Sequence, residues 1–533
     1  MDYKQEDSEK GVYHKLSLME SEYFKKQPNV KPISAFRRIL PQVFASAAQN
    51  LLILDLAMAM NFPTIAIPAL RGIRNRDIDE VITFTETHAS WFASMAFICQ
   101  PIGSILSGVI VEKLGRKRAM IVVNLPHIAA WLMLYFAQSI EMVFVANLLL
   151  GLGVGFMEAP VITYVGEISE PSIRGILISM AQIGYALGCF ILYLIGASTN
   201  WRNTALLCCI VPVFTMFAVS LVPETPLWLL SKGRKAEAQK SLQWLRGWVP
   251  KENVAQEFHD IQRYNEDSHR CVACQKTEQK CNHPKPSLGQ RWKELFRKNT
   301  MKPFFIIFSC FFFSCFTTAT SMRPYYIQIF EKYQIEPNQM TVWIGVVGVL
   351  ANLGCAAGVK LFGKRTTTIV SMGGITVLSI GLAIHTWKEL PRGLTSFDKL
   401  PSDQEFGGSA SIIAMALFLG LAFCTNVGII SVPWIMVSEI YPNKTRGLAS
   451  GLTAALNYTM FFISIKTYYD LETSISLFGA ICLYGAIGFL GTIFIYIFLP
   501  ETEGKTLEEI EEHFSDSKKK LSDRKIVSQK LLN

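Results

Sequence analysis

Twelve runs of about twenty apolar residues, centred near residues 55, 100, 128, 153, 186, 213, 313, 351, 377, 424, 458 and 487, constrain this chain more than any other feature. A helix of about twenty residues crosses the hydrocarbon core of a bilayer. The runs fall six and six on either side of a polar stretch, 223–302. The reading is an all-α membrane protein of twelve transmembrane helices in two six-helix bundles. Composition agrees: half of the 533 residues are apolar and only 17% are charged, too much apolar surface for a soluble domain to hide.

The two halves also repeat a set of short polar motifs at the ends of the runs. The first half carries Glu112-Lys113-Leu114-Gly115-Arg116-Lys117-Arg118, then Gly166-Glu167-Ile168-Ser169-Glu170 with Arg174 and Gly175, then Pro223-Glu224-Thr225-Pro226. The second answers with Lys360-Leu361-Phe362-Gly363-Lys364-Arg365, then Ser438-Glu439-Ile440-Tyr441-Pro442 with Arg446 and Gly447, then Pro500-Glu501-Thr502-Glu503. A duplicated bundle is the simplest source of such a pattern, and duplicated bundles that rock against each other are a common transporter design. Gly115 and Gly363 stand where a residue free to take positive φ lets one helix turn straight back into the next. Glu167 and Arg174, like Glu439 and Arg446, flank short inter-helix turns, where opposite charges pair when helix ends meet and part when they separate. One exposed pair contributes only ~0.2–1 kcal/mol, but several together bias two states that lie close in energy. Arg116, Glu167, Arg174, Glu224, Lys364, Glu439, Arg446 and Glu501 are therefore the expected gate.

Basic residues crowd the N-terminal tail, the 112–118 turn, the 223–302 loop and the C-terminal tail. By the positive-inside rule both termini and these loops are cytosolic. The first forty residues have no apolar core or cleavage site of a signal peptide. The net charge of +9 follows from this topology; spread over separate loops, it gives no nucleic-acid footprint. With no P-loop, dinucleotide glycine motif or nucleophile constellation, the expectation is neither an enzyme nor a primary pump, and no cofactor.

On these residues, together with Pro223-Glu224-Thr225-Pro226-Leu227-Trp228-Leu229-Leu230 and Ser241-Leu242-Gln243-Trp244-Leu245-Arg246-Gly247, the chain resembles the sugar porters of the major facilitator superfamily over about residues 40–515. The wording of that stretch is similar to the arthropod facilitated trehalose and hexose transporters. The resemblance implies the major facilitator fold with a central cavity, alternating access, and short cytosolic helices in 223–302 and at 506–514. Carried over singly, it implies that Gln182, Trp434 and Asn457 contact sugar. An amide gives both donor and acceptor to a hydroxyl, and an aromatic face suits the apolar face of a sugar ring. Asn426 falls near a family glutamate position, Thr320 follows the family's span-seven polar positions, and Asn61 falls where proton-coupled relatives carry an acid. Span seven departs from the pattern: Ser314, Cys315 and Thr320 stand where the family has a paired glutamine and later an asparagine; in span eight Gly348 replaces an asparagine and in span four Asn147 an arginine. A site that discriminates by hydrogen bonds loses some of its hold on an ordinary hexose with those changes.

Asp55, Glu158 and Lys466 are ionisable residues inside apolar runs, where an Asp or Lys costs ~2.5–3.5 kcal/mol at a helix centre. Asp55 and Glu158 are candidates for proton coupling or polar-substrate binding, and Lys466 for an interfacial position. Cys271-x2-Cys274-x6-Cys281-x-His283 has the residue types of a zinc site but not a common zinc spacing, so reduced solvated thiols are its alternative. The domain reading is a cytosolic tail 1–40, a six-helix bundle 41–222, a central loop 223–302, a second bundle 303–499 and a tail 500–533. The function expected is facilitative transport of a trehalose- or hexose-class sugar, with the bilayer and a small polyol as partners and the plasma membrane as location. An orphan carrier for another polar or organic solute and a nutrient sensor that binds without transport are the rivals.

Overall fold

The computed structural model describes residues 34–73, 82–170, 172–268, 295–398, 408–442, 445–505, 507–515 and 526. Cys271, Cys274, Cys281 and His283 lie outside the described residues, as does Thr506. Spans one to six are Ala35–Asn61 continued by Pro63–Leu70, Glu86–Leu114, Arg116–Val122 continued by Asn124–Tyr135, Ile140–Ile168, Arg174–Ser198 and Trp201–Ser220. Spans eight and nine are Pro337–Phe362 and Lys364–Glu389. Span ten is Gly408–Cys424, a wider π-turn at Thr425–Ile429, and Ser431–Ile440.

Ten helices among the described residues are long and apolar enough to cross a membrane. Irregularities hide the other two of the twelve. Span seven is broken into Lys298–Cys315, Thr318–Ser321, a 3-10 turn at Arg323–Tyr325, and Tyr326–Lys332. Spans eleven and twelve form one Arg446–Phe498 helix interrupted at Ser476, whose φ of 68° and ψ of 168° are non-helical.

Local chemistry explains where the helices start and break. Thr85 caps span two by accepting from the His88 amide at 3.2 Å, and Asn200 caps span six by accepting from the Asn203 amide at 2.8 Å. A broken helix within a membrane must have its freed carbonyls satisfied by side chains. The Cys315 carbonyl accepts from the hydroxyls of Ser321 (3.2 Å) and Ser464 (2.8 Å). In span ten the Ser371 hydroxyl donates to the Cys424 carbonyl at 2.6 Å and accepts from the Ile429 amide at 2.8 Å, stitching both sides of the wider turn.

The described chain divides into two compact units. The smaller takes its residues from 1–47, 167–169 and 222–283. In it Pro226–Ser231, Lys235–Leu245 and Lys251–Ser268 pack through Trp228, Leu229, Leu230 and Ala238. Arg246 ties it together, donating to Glu257 through Nε at 2.9 Å and to the Ile168 carbonyl at 3.1 Å. The larger unit holds the remaining membrane helices, where close approach replaces hydrophobic drive. Gly151 and Gly155 of span four lie directly on the backbone of Ala96 and Gln100 in span two, leaving no room for a Cβ.

The duplication is visible in backbone angles. Gly115 has φ 92° and ψ 173°, and Gly363 has φ 86° and ψ 163°, a region that essentially glycine alone occupies. At Gly363 a Cβ would also strike the Glu501 carboxylate. Gly363→Ala is expected to cost about 1–3 kcal/mol and to lower the thermal unfolding midpoint of the purified protein in detergent. An unchanged midpoint would contradict this account of the turn.

Candidate functional site

A cavity lies on the seam between the two halves of the membrane bundle. Asn61, Tyr185, Cys189 and Tyr193 wall it from the first half, and Ala319, Arg323, Tyr326, Gly345, Gly348, Thr425 and Asn426 from the second. It measures about 430 Å³ with its mouth included, but the centre of a water molecule has only about 30 Å³ to move in. It is thus a constricted form of a small-molecule site.

Irregular backbone delivers its polar side chains. Asn61 ends the first helix of span one, just before Pro63, and donates to the Ala57 carbonyl at 2.8 Å and to the Cys189 sulfur at 3.1 Å. Its Oδ1 accepts from Tyr193 Oη at 3.2 Å. Asn426 sits in the π-turn of span ten, held by the Ala422 carbonyl at 2.8 Å. Gly348 faces it, and a Cβ there would still stand 4.0 Å from the amide. Arg323, in the broken part of span seven, reaches across the seam: Nη1 lies 3.4 Å from Asn61 Oδ1 and 3.3 Å from Tyr185 Oη, while its carbonyl accepts from Thr64 at 3.1 Å.

Of the six residues expected to meet solute, Asn61 and Asn426 stand in this wall. Trp434 packs with its ring centroid 5.0 Å from Phe311 and 6.3 Å from Tyr458. Asn457 is buried, its Oδ1 3.4 Å from the Cys315 sulfur and its Nδ2 without a partner among the described residues. Thr320 is buried and accepts from the Thr317 hydroxyl at 2.9 Å. Gln182 is half-buried on span five, and none of these four is in the cavity wall. Arg323, Tyr185, Cys189 and Tyr193 were not expected. Arg323 had a signal, a lone arginine in an apolar run beside Pro324. The tyrosines had none, since nothing distinguishes a cavity-facing aromatic from a lipid-facing one in a helix apolar all round.

The three ionisable residues expected inside apolar runs each have a polar partner. Asp55 is buried, with Oδ1 accepting from Trp131 Nε1 at 3.0 Å and Oδ2 2.5 Å from His127 Nδ1, a cluster wholly within the first half. Glu158 crosses the seam, accepting from Tyr458 Oη at 2.9 Å. Lys466 crosses it too, donating to Ser90 Oγ at 3.0 Å and lying 4.9 Å from the Trp91 ring.

Lys466 belongs to a clasp at the end of the bundle opposite the duplicated turns. Glu86 pairs with Arg71 at 3.2 Å and accepts from Tyr469 Oη at 2.6 Å, while Arg71 lies 5.1 Å from the Phe397 ring. Phe97 stacks on Phe461 with centroids 5.4 Å apart. First and second halves are thus drawn together at that end.

At the duplicated turns, charges organise each half. In the second half Lys364 Nζ lies 2.5 Å from Glu439 and 3.1 Å from Glu503, and Glu501 accepts from the amides of Lys364 and Arg365, both at 3.0 Å. Arg446 donates to the Tyr441 carbonyl at 3.2 Å. In the smaller unit Glu167 accepts from the Thr225 hydroxyl at 2.6 Å and Glu224 from the Thr225 amide at 2.9 Å. Arg116 and Arg174 open the helices of spans three and five. Glu503 was not among the expected gate residues. Among the described residues no group of three or more His, Cys, Asp or Glu could hold a metal ion.

Residues 47–514 match the family described as sugar (and other) transporter. The chain is 30% identical over 483 residues to the facilitated trehalose transporter Tret1 of Apis mellifera ligustica, covering 90% of this chain and 89% of the relative. It is 29% identical over 490 residues to that of Polypedilum vanderplanki, covering 91% and 89%. Among solved structures it is similar to the major facilitator superfamily proton:xylose symporter XylE bound to 6-bromo-6-deoxy-D-glucose, with TM-score 0.67, 18% identity and coverage of 90% and 100%. A partially occluded inward-open form of XylE from E. coli gives TM-score 0.68 at 17% identity, covering 87% and 99%. These likenesses establish the major facilitator fold.

The clasp gives a direct test. Tyr469→Phe removes one hydrogen bond to a carboxylate, worth ~1.5–3 kcal/mol. Spin labels at Thr83 and Thr473 are expected to show a larger population of long separations in that variant than in the parent. Identical distance distributions would show that the clasp does not hold this end closed.

Proposed function

The chain belongs to the sugar (and other) transporter family, and from that premise we propose that it carries a small polyhydroxylated solute of the sugar class across a membrane by alternating access, as a uniporter. It is a multi-pass membrane protein and a carrier, not an enzyme. The observation that carries the proposal is the seam cavity, to which both halves contribute polar side chains, Asn61 and Tyr185 from one and Arg323 and Asn426 from the other. A solute gripped by both halves favours whichever arrangement grips it best, the differential affinity that drives a two-state carrier.

The parts then take these roles. Bundles 41–222 and 303–499 rock about the seam. The Glu86, Arg71, Tyr469 and Lys466 clasp forms the outer closure. The turns carrying Lys364, Glu439, Glu501 and Arg446, with Arg116 and Arg174 of the first half, form the inner one. The asymmetry of Lys and Arg supports cytosolic termini, and the plasma membrane is the working location. Gln182, Trp434, Asn457 and Thr320 come into contact with solute as the halves move. One neutral side chain supports uniport: Asn61, on the cavity wall at the position where proton-coupled relatives carry an acid. Asp55, closed in by His127 and Trp131, acts as a structural acid.

The test is uptake of radiolabelled solutes into proteoliposomes, with and without a proton gradient. Flux of a sugar-class solute, unaffected by the gradient, is the expected result. Saturable binding without flux would support a sensor instead. Acceleration by an inward proton gradient, abolished by Asp55→Asn in a variant that keeps the parent's thermal midpoint, would refute uniport.

A further inference from the structure

We propose that the seam cavity binds an anion, with Arg323 holding its carboxylate, so that the solute is a sugar acid rather than a neutral sugar. The claim that this solute is also moved rests on the carrier reading above; the claim that it binds does not.

Among the described residues Arg323 forms no ion pair, and both of its side-chain hydrogen bonds leave from Nη1, long and to neutral oxygens, at 3.4 Å to Asn61 and 3.3 Å to Tyr185. Nε and Nη2 donate to nothing there, and neither is fully enclosed. A guanidinium offers two parallel N–H groups that match a carboxylate in its own plane, and Arg323 lines the cavity with two nitrogens unspent. Glu158, a carboxylate at membrane depth, accepts from Tyr458 at 2.9 Å and makes no ion pair with Arg323. Charged side chains at membrane depth are normally paired or mark a substrate path. This one lacks the pair and lines the cavity.

The arginine is also pre-positioned. Its own carbonyl is bonded to Thr64 at 3.1 Å across the seam, and Asn61 is fixed from behind by Tyr193 and the Ala57 carbonyl. A carboxylate that docks there finds a donor already aimed at it.

Around that anchor the wall suits a polyol. Tyr185 and Asn426 offer neutral donors and acceptors, and Ile344 offers apolar surface. Meanwhile Ser314 spends its hydroxyl on the Phe311 carbonyl at 2.9 Å, and the Cys315 sulfur lies against Asn457. Hydrogen bonds that would select a neutral sugar are therefore turned inward, while a cation is presented.

Glucuronate and glucose form a matched pair, differing by a carboxylate in place of a hydroxymethyl group. Equilibrium binding of each, radiolabelled, to the full chain in nanodiscs is expected to show glucuronate bound at least about tenfold more tightly. Arg323→Gln should weaken glucuronate by about tenfold or more and glucose little, and Arg323→Lys should recover part of the loss. Equal binding of the two sugars by the parent, or glucuronate binding unchanged in Arg323→Gln, would overturn the anion site; so would binding of neither. The comparison in the parent protein stands even if a variant does not fold. In proteoliposomes, glucuronate flux that is no faster than glucose flux and is unchanged by Arg323→Gln overturns the anion site while leaving the carrier reading intact. Arg323-dependent glucuronate binding without flux supports the site and overturns the carrier.

Discussion

Everything in this structure follows from the bilayer's refusal to solvate a peptide group. Each backbone N–H and C=O at membrane depth must find a partner within the protein, and a continuous helix meets that demand without help from its neighbours. Where the helices break, particular side chains take over: Ser321 and Ser464 at the Cys315 carbonyl, and Ser371 at the Cys424 carbonyl and the Ile429 amide. These two repairs lie in spans seven and ten, the spans that deliver Arg323 and Asn426 to the cavity. A regular helix presents side chains on a fixed pitch, whereas a break re-aims them. The site is built where helix regularity was given up.

The same economy governs the charges. At the duplicated turn of the second half Lys364 is buried and takes both Glu439 and Glu503, while Glu501 accepts from the amides of Lys364 and Arg365. Deeper in, a charge needs a designated partner. Asp55 has His127 and Trp131, Glu158 has Tyr458, and Lys466 has Ser90 and the Trp91 ring. Glu158 and Lys466 take theirs from the opposite half, so that motion between the halves must break or exchange them. Such bonds give two arrangements discrete energies and make the seam a switch rather than a sliding surface.

The sequence made the helical architecture legible because the period of apolar runs is set by membrane thickness alone. It also placed Gly115 and Gly363, since glycine takes their backbone angles without the strain that a side chain brings. Span seven read as one run, because periodicity does not register a break that Ser464, more than a hundred residues away, repairs. Ser476 joins two runs without any glycine or proline to mark the interruption. For the site, Asn61 and Asn426 were recoverable as amides in apolar surroundings. Tyr185 and Tyr193 were not, because in a membrane both the lipid face and the seam are lined by apolar and aromatic residues. Which face looks inward is decided by the partner helix. Lys466 read as an interfacial charge for the same reason; its role as a clasp depends on Ser90 and Trp91 of another span.

The central claim is that the seam cavity opens to one side of the membrane and then to the other. Gly348 lines it with room for a side chain, so Gly348→Cys in a background freed of other cysteines reports on access. The measurement is its labelling by a membrane-impermeant thiol reagent applied to each side in turn, with and without transported solute. Alternating access predicts reciprocal change: labelling from one side falls as labelling from the other rises when solute is added. Equal labelling from both sides that does not respond to solute, or labelling confined to one side under every condition, would contradict it.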